Sequence, residues 1–440
     1  MIQQDRKLRH RDIYLNKLIL FQDKEPVKVI TGIRRCGKSS LLKLMQEHLI
    51  LTGVHQNQIL FMNFESMEYR GMDVNAFYHY VKDRILPDHR MYLFFDELQR
   101  LERWEDAVNS FRVDFDCDIY ITGSNAYLLS SEYSTYLSGR YVEIRMYPLS
   151  FREFVAFHGY EIRDVRTLDG SLRKRAYDQK GEAADWNDLL EAYLHYGGMP
   201  GLVDTGLNQD SVLTLLDGVY STVVVRDILE RDRRRGQRHL TDQELLKKII
   251  LFLADNIGNS TSLNSISNTL VSEKLLNDRS RQGKPAIQTI SAYVGAILES
   301  YLFYEIKRYD VKGKAALRTL GKYYIVDIGL RNYLLGYRDV DIGHMIENIV
   351  YFELLRRGYD VSVGKVGDKE IDFIAAKDRE KIYYQVTEDM SSEATREREL
   401  APLRAVRDNY EKVIVAMNTD STAPIDGIKV ERLVDFLTEF

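Results

Sequence analysis

The chain has 440 residues, 45% of them hydrophobic, two cysteines and a formal net charge of −5. This length predicts roughly two to four domains. The acidic balance excludes a protein that binds nucleic acid over its whole surface, so any such contact has to be local. No apolar run is long enough to span a membrane, and the polar start of the chain is unlike a signal peptide. Cys36 and Cys117 have no metal-ligand spacing, which favours a reduced setting. We therefore expect a cytoplasmic protein without membrane contacts.

The first motif lies between Val27 and Leu42, where an apolar strand is followed by a tight loop and the start of a helix. The loop fits G-x-x-x-x-G-K-[ST], and with the next residue it comprises Gly32, Ile33, Arg34, Arg35, Cys36, Gly37, Lys38, Ser39 and Ser40. The two glycines let backbone amides turn inward, and the helix N-terminus adds an anion site. Lys38 is expected to reach the β- and γ-phosphates, and Ser39 to ligate Mg²⁺. The motif therefore predicts a site for ATP and Mg²⁺.

A second motif is the apolar run Met91 to Phe95, which ends in the adjacent carboxylates Asp96 and Glu97. A continuous apolar run is typical of a strand that is buried on both faces. In phosphate-loop NTPases the first carboxylate helps to hold Mg²⁺ and the second polarises the attacking water. We therefore predict Asp96 as a metal residue and Glu97 as a catalytic residue.

Polar residues end the next strand, and an arginine follows on a short turn. Ser124 and Asn125 are predicted to hydrogen-bond the γ-phosphate or the attacking water, as is Thr122. Arg140 follows Ser138 and Gly139, and an arginine on such a turn can stabilise the transferred phosphoryl group. We predict that Arg140 acts across a subunit boundary in a homo-oligomer; action within one chain and a plain surface role stay open.

These motifs together resemble the prokaryotic AAA-type ATPases that carry an uncharacterised C-terminal domain. The resemblance also includes the segments 148–154 (PLSFREF) and 196–200 (YGGMP), and it covers most of the chain. It implies an α/β fold, with a parallel phosphate-loop NTPase sheet that has helices on both faces. It also implies ATP binding, while it says little about biological role.

The middle of the chain has two predicted parts. Residues 156–238 are predicted to form a helical lid or connector, with a solvated charged stretch from about 167 to 185. Residues 239–335 have the spacing of a winged-helix-like domain, with three helices and two wing strands. Arg279, Arg281, Lys284 and Gln288 lie before or on its last helix, where such folds contact DNA. A protein-contact role is the competing interpretation, and the charge run 226–235 is either an exposed helix end or a basic contact surface.

The last part, residues 336–440, resembles a small α/β nuclease of the PD-(D/E)xK type. A helix that ends at Gly358 precedes three apolar strands, and Glu347, Asp372 and Gln385 match the metal-ligating positions of that family. Oxygen ligands of this kind suit Mg²⁺. The family places a lysine two residues after the third ligand, and this chain has Thr387 there. The resemblance therefore implies a vestigial metal site in an inactive nuclease-like domain.

The predicted organisation is thus an AAA-type domain (1–155), a connector (156–238), a winged-helix-like domain (239–335) and the nuclease-like domain. The predicted activity is Mg²⁺-dependent ATP hydrolysis coupled to conformational change. One alternative is a nucleotide-gated DNA-binding or regulatory module with negligible turnover, which would contact nucleic acid through the winged-helix or C-terminal domain. The other is an ATP-dependent nuclease.

Overall fold

The computed structural model describes residues 8–124, 139–166, 170, 172–230, 240, 242–272, 286–311 and 315–439. Asn125, Ser138, Arg279, Arg281 and Lys284 lie outside these residues, as does 231–235 of the charge run. The chain divides into two compact units. The first comprises Met1–Met146 with Glu299–Tyr301, and the second comprises Tyr147–Leu298 with Leu302–Phe440.

The first unit is an α/β domain built on a five-stranded sheet. Its strands are β1 (Val27–Thr31), β2 (Ile59–Asn63), β3 (Met91–Asp96), β4 (Cys117–Gly123) and β5 (Tyr141–Arg145). Its helices are α1 (Asp12–Leu20), α2 (Lys38–Leu51), α3 (Val74–Lys82) and α4 (Trp104–Asp114), with short 3-10 turns at Gln56–Gln58, Met67–Tyr69 and Leu98–Arg100. The strand order is β2-β3-β4-β1-β5, and every neighbouring pair is parallel. The predicted α/β class with a parallel sheet is confirmed.

Strands β1 and β3 are buried along their whole length. Burial on both faces explains the apolar run Met91–Phe95 of β3, whereas β1 also contains Lys28, whose buried ammonium group pairs with Asp118 of β4. Alternate residues of these strands point to opposite faces. Phe95 packs with Phe77 of α3 and Phe111 of α4 in one core cluster. Because the strands are parallel, their carboxyl ends meet at one edge, which places Thr31, Asp96 and Gly123 side by side.

The second unit contains a seven-stranded mixed sheet and a small hairpin. Its strands are β6 (Glu161–Arg166), β7 (Leu172–Tyr177), β8 (Phe303–Asp310), β9 (Ala315–Ile325), β10 (Asp360–Val366), β11 (Lys369–Lys377), β12 (Glu380–Asp389), β13 (Glu411–Asn418) and β14 (Lys429–Arg432). Strands β6 and β7 pair with each other, and the larger sheet has the order β14-β13-β12-β11-β10-β8-β9. The hairpin lies where the sequence predicted a helical connector with a solvated stretch.

Helices surround these sheets. They are α5 (Phe151–Phe157), α6 (Trp186–Tyr196), α7 (Gln209–Thr222), α8 (Gln243–Asp255), α9 (Leu263–Ser272), α10 (Ile287–Glu299), α11 (Ile328–Leu335), α12 (Ile342–Arg356), α13 (Glu393–Ala405) and α14 (Leu433–Thr438). A π-helix spans Val223–Glu230, and 3-10 turns span Pro200–Thr205 and Asp339–Asp341. Among the described residues, no helix is long and apolar enough to cross a bilayer.

The two strands predicted as wings, β8 and β9, pair with each other and extend the C-terminal sheet. Strand β8 pairs in parallel with β10, with Val363 opposite Arg308. The predicted winged-helix-like and nuclease-like domains therefore share one continuous sheet. The order α12-β10-β11-β12-α13-β13 follows along the chain, with β11 antiparallel to both neighbours and β12 parallel to β13.

Candidate nucleotide site

The loop between β1 and α2 depends on backbone angles that favour glycine. Gly32 has φ +140°, and a Cβ atom on it would lie 2.1 Å from the Met146 carbonyl oxygen. Gly37 has φ +105° and stands immediately before the first residue of α2. These two positions bend the chain so that the loop curls over the N-terminus of α2, which is an arrangement suited to phosphate.

Lys38 lies inside this loop. Its side chain is buried, and its Nζ donates to the carbonyl oxygens of Gly32 at 2.9 Å and Ile33 at 3.0 Å. The loop thus folds around its own ammonium group. Ser39 and Ser40 follow on the exposed first turn of α2. The positive charge and the helix N-terminus are held together, as binding of a polyphosphate requires.

Asp96 ends β3 next to the phosphate loop. Its Oδ1 accepts from Thr122 Oγ1 at 2.5 Å, its Oδ2 accepts from Asn63 Nδ2 at 3.1 Å, and it is also hydrogen-bonded to Ser39. Burial raises the pKa of Asp96 above its ordinary value, although the hydrogen bonds from Thr122 and Ser39 oppose that rise. The two residues predicted to hold Mg²⁺ therefore lie in contact. A carboxylate and a hydroxyl oxygen are ligands of the kind that Mg²⁺ takes.

Glu97 is held by its neighbours in a left-handed backbone conformation, with φ +55°. Its Oε2 accepts from Gln99 Nε2 at 2.6 Å and from Ser124 Oγ at 3.2 Å. Burial alone would raise the pKa of Glu97, but the positive charges of Lys38 and Arg34 lower it overall. Glu97 is therefore ionised at neutral pH, as a group that polarises water has to be.

Thr122 lies between the two acidic residues. Its hydroxyl donates to Asp96 and accepts from the Glu97 backbone N–H at 2.9 Å. Thr122 thus connects both acidic residues and orients them. Ser124, which was predicted to meet phosphate or water, is buried and donates to Glu97.

Arg34 connects the phosphate loop to the acidic side chains. Its Nη1 lies 3.1 Å from Glu65 Oε1, and its Nη2 lies 3.8 Å from Glu97 Oε2. Arg100 also contacts Glu65, at 2.6 Å. The loop motif includes Arg34 only as a variable position, so its role next to Glu97 could not be inferred from the motif.

Arg11 is a further residue that sequence reasoning missed. It is buried, its Nη1 donates to the Cys36 carbonyl oxygen at 2.9 Å, and its guanidinium lies 4.7 Å from the centre of the Tyr14 ring. This hydrogen bond connects the N-terminal segment to the phosphate loop. An arginine in a charged stretch before a helix carries no local signal for this contact.

Arg140 lies at the other end of the sheet from the phosphate loop. Its carbonyl oxygen accepts from the Val27 N–H, at the start of β1, while the residue opposite Thr31 at the end of β1 is Arg145. Along a strand this separation is about 16 Å at roughly 3.3 Å per residue. The described structure thus places the exposed Arg140 away from its own phosphate loop.

In the second unit, two of the predicted metal-ligating residues are engaged by neighbouring groups. Glu347 Oε1 accepts from Lys322 Nζ at 2.8 Å and from Tyr324 Oη at 2.6 Å. Asp372 Oδ2 accepts from the Val386 N–H at 2.8 Å. Gln385 is buried, and its Oε1 has no hydrogen-bond partner among the described residues. Among those residues, no three His, Cys, Asp or Glu side chains are arranged to hold a metal ion.

Comparisons with known proteins agree with this geometry in the first unit. A family model described as an AAA domain matches residues 24–155, and a domain of unknown function (DUF8612) matches residues 187–341. An uncharacterized protein of Haemophilus influenzae is 40% identical over 433 residues, which are 98% of each chain. The uncharacterized protein MJ1544 of Methanocaldococcus jannaschii is 26% identical over 444 residues, 98% of this chain and 90% of that one.

Two solved structures resemble the chain more distantly. A Walker-type ATPase of Pyrococcus abyssi has a TM-score of 0.47 at 16% identity, and covers 74% of this chain and 95% of its own. The Orc1 protein of Aeropyrum pernix, solved in complex with DNA, has a TM-score of 0.30 at 12% identity, and the match covers 74% of this chain and 92% of the Orc1 chain.

The phosphate loop, the acidic end of β3 and the match to the AAA domain define the class: this is a nucleotide-binding, AAA-type phosphate-loop protein. Within that class the chain belongs to the same family as the Haemophilus influenzae protein, which it matches over nearly its full length. The class implies nucleotide binding, typically with Mg²⁺.

Proposed function

We propose that the first unit hydrolyses ATP with Mg²⁺ and that the bound nucleotide changes the conformation of the protein. The observation that carries this proposal is the contact of Ser39 with Asp96 beside the phosphate loop. An ionised Glu97 follows Asp96 directly. Without Glu97, the site would bind the nucleotide but would not cleave it.

Each side chain then has a task. Lys38 and the N-terminus of α2 bind the phosphates, and Ser39 and Asp96 hold Mg²⁺, which neutralises charge on the phosphates when bound. Glu97 orients and polarises the attacking water, held in place by Gln99 and Ser124. Arg11 positions the phosphate loop through the Cys36 carbonyl oxygen, and Arg34 positions the Glu97 carboxylate.

The test is a steady-state ATPase assay of the purified full chain and of Lys38→Ala, each with and without DNA. Loss of the ammonium group removes the charge partner of the phosphates, so turnover should fall sharply. Arg103→Ala is a suitable control, because that exposed arginine pairs with Asp106, three residues further along the chain, at 2.7 Å. Hydrolysis by Lys38→Ala at the wild-type rate would refute the proposal.

The same assay separates the alternatives. Turnover that DNA stimulates would favour a motor or remodelling role, whereas slow turnover that DNA leaves unchanged would favour the nucleotide-gated module. For an ATP-dependent nuclease, DNA cleavage with Mg²⁺ or Mn²⁺ should be measured in parallel. We propose that the C-terminal domain does not cleave DNA, because Thr387 lacks the amine that would stabilise the reacting phosphate. Cutting that disappears in Asp372→Ala would overturn that view.

A further inference from the structure

The acidic cluster of the second unit already contains a cation. Lys322 of β9 is buried, and its Nζ lies 2.8 Å from Glu347 Oε1 and 3.0 Å from Glu370 Oε1. Glu347 comes from α12 and Glu370 from β11, so the ammonium group joins three elements. Asp372 is two residues further along β11 and interacts electrostatically with both Lys322 and Glu347.

Other side chains also lie close to the carboxylate of Glu347. Tyr324 donates to the same oxygen that Lys322 contacts, at 2.6 Å. His344 Nδ1 lies 4.0 Å from the other oxygen, Oε2. A metal ion ligated by Oε1 of Glu347 would therefore have to displace both the lysine and the tyrosine.

Gln385 is the second indication that this place is built for a cation. Tyr384, the residue before Gln385, pairs with Phe373, and the N–H of Val386, the residue after it, donates to Asp372 Oδ2 at 2.8 Å, so Gln385 lies on β12 beside the end of β11 that holds Asp372. The Gln385 side chain is buried, and its carbonyl oxygen accepts from no described group. An unused buried acceptor close to the segment that holds Asp372 is suited to a hydrogen-bond donor or a positive ion.

We propose that Lys322 is the resident cation of the cluster formed by Glu347, Glu370, Asp372 and Gln385, and that it excludes divalent metal from this site. The residues therefore do not fit a metal while Lys322 is present. The Lys322 ammonium group lies within 3.0 Å of one carboxylate oxygen of Glu347 and one of Glu370. A divalent ion in the same volume would be repelled by that ammonium group. This proposal is independent of ATP hydrolysis by the first unit.

The test is Mn²⁺ binding to the full chain, measured by electron paramagnetic resonance of the free ion. All proteins in this test carry Asp96→Asn, which removes the predicted metal ligand of the first unit. With Lys322 present, such a protein should bind Mn²⁺ only weakly. In that background Lys322→Met should bind Mn²⁺ at least about tenfold more tightly, because a like charge has been removed. Lys322→Arg should bind as weakly as wild type.

Two further variants assign the binding to the cluster. Adding Glu347→Gln to Lys322→Met should abolish the gain in Mn²⁺ affinity. Lys369→Met, which removes an exposed lysine of β11, should not increase the Mn²⁺ affinity. A Lys322→Met protein that binds Mn²⁺ no better than wild type would overturn the proposal. So would a wild-type protein whose tight Mn²⁺ binding is lost in Glu347→Gln.

Loss of Lys322 leaves buried carboxylates without a partner, so stability has to be followed as well. Lys322→Gln keeps a hydrogen-bond donor near Glu347 and provides a second neutral variant. Mn²⁺ should raise the thermal unfolding temperature of both variants and leave that of wild type unchanged. If neither variant folds even when purified with Mn²⁺, the proposal fails, since the metal should supply the missing charge.

Discussion

Two adjacent carboxylates end β3, yet their surroundings differ. Asp96 is hydrogen-bonded to Ser39 of the phosphate loop, whereas Glu97 contacts Gln99, Ser124 and Arg34. The pKa of Asp96 is raised and that of Glu97 is lowered. The first therefore gains most from a metal ion that neutralises it, and the second is ready to act as an anion near water.

This difference predicts opposite results for two isosteric changes. Asp96→Asn should weaken Mg²⁺-dependent ATP binding, and Glu97→Gln should preserve binding while it slows hydrolysis. Binding can be measured with a fluorescent ATP analogue with and without Mg²⁺, and hydrolysis by phosphate release. If Glu97→Gln loses the Mg²⁺ dependence and Asp96→Asn only slows the reaction, the two roles are reversed.

Arg34 is predicted to set the ionisation of Glu97. Its positive charge is one of the causes that lower the pKa of Glu97, so Arg34→Ala should raise that pKa. The acidic limb of the kcat against pH profile should then move to higher pH, and Arg34→Lys should move it back towards wild type. A uniform loss of rate with an unchanged profile would show that Arg34 has only a structural role. Arg103→Ala again provides the control.

At the scale of elements, the segments 148–154 and 196–200 of the second unit are joined by a backbone hydrogen bond. Leu149 N–H donates to the Gly198 carbonyl oxygen at 2.7 Å, and Tyr193 Oη donates to the Leu149 carbonyl oxygen at 2.8 Å. Gly198 N–H donates to Asp327 Oδ2 at 2.7 Å. Cβ atoms at Gly197 and Gly198 would lie 2.3 Å from Asp327 Oδ1 and 2.4 Å from the Leu149 oxygen. Only glycine permits this close approach.

Asp327, at the start of α11, should make stability depend on pH. Burial raises its pKa to about 6 from 3.8, although hydrogen bonds from backbone N–H groups oppose the rise. Between these two pH values the folded state keeps the Asp327 proton, whereas the unfolded state has released it. The contribution of protonated Asp327 to the free energy of unfolding is complete below pH 3.8. It is lost as pH rises through about 6, by at most about 3 kcal/mol.

Urea unfolding of wild type and Asp327→Asn at pH 4.5 and pH 6.5 tests this, because the free energy of unfolding falls linearly with urea concentration and can be extrapolated to water. The wild type should lose stability relative to the variant at the higher pH. A difference between the two proteins that is the same at both pH values would contradict the shift, because other carboxyl groups cancel in the comparison.

At the scale of the whole molecule, the position of Arg140 bears on assembly. The side chain is exposed and lies at the amino end of the sheet, so a γ-phosphate that it contacts would belong to another subunit. Such arginines are worth roughly three to five orders of magnitude in rate. Mixing Arg140→Ala with Lys38→Ala protein should restore part of the ATPase activity, because some interfaces pair an intact loop with an intact arginine.

The control for this mixing experiment is each variant alone at the same total concentration. Exchange of subunits has to be shown separately, for example by energy transfer between labelled chains. Mixtures that exchange and still have no activity above the separate variants would refute action across a subunit boundary.

The sequence by itself determined those parts of the protein that depend on residues within one short segment. The phosphate loop needs two glycines, a lysine and a serine at fixed spacing, and β3 needs an apolar run before its carboxylates, so the position of both could be predicted. The tertiary structure decided what distant residues do. Arg11 reaches Cys36, Thr122 joins Asp96 to Glu97, and Lys322 enters a cluster formed by α12 and β11. The two strands predicted as wings likewise extend the C-terminal sheet because β8 pairs with β10, which lies about fifty residues further along the chain. Contacts of this kind depend on the packing of separate elements, and no spacing within one segment encodes them.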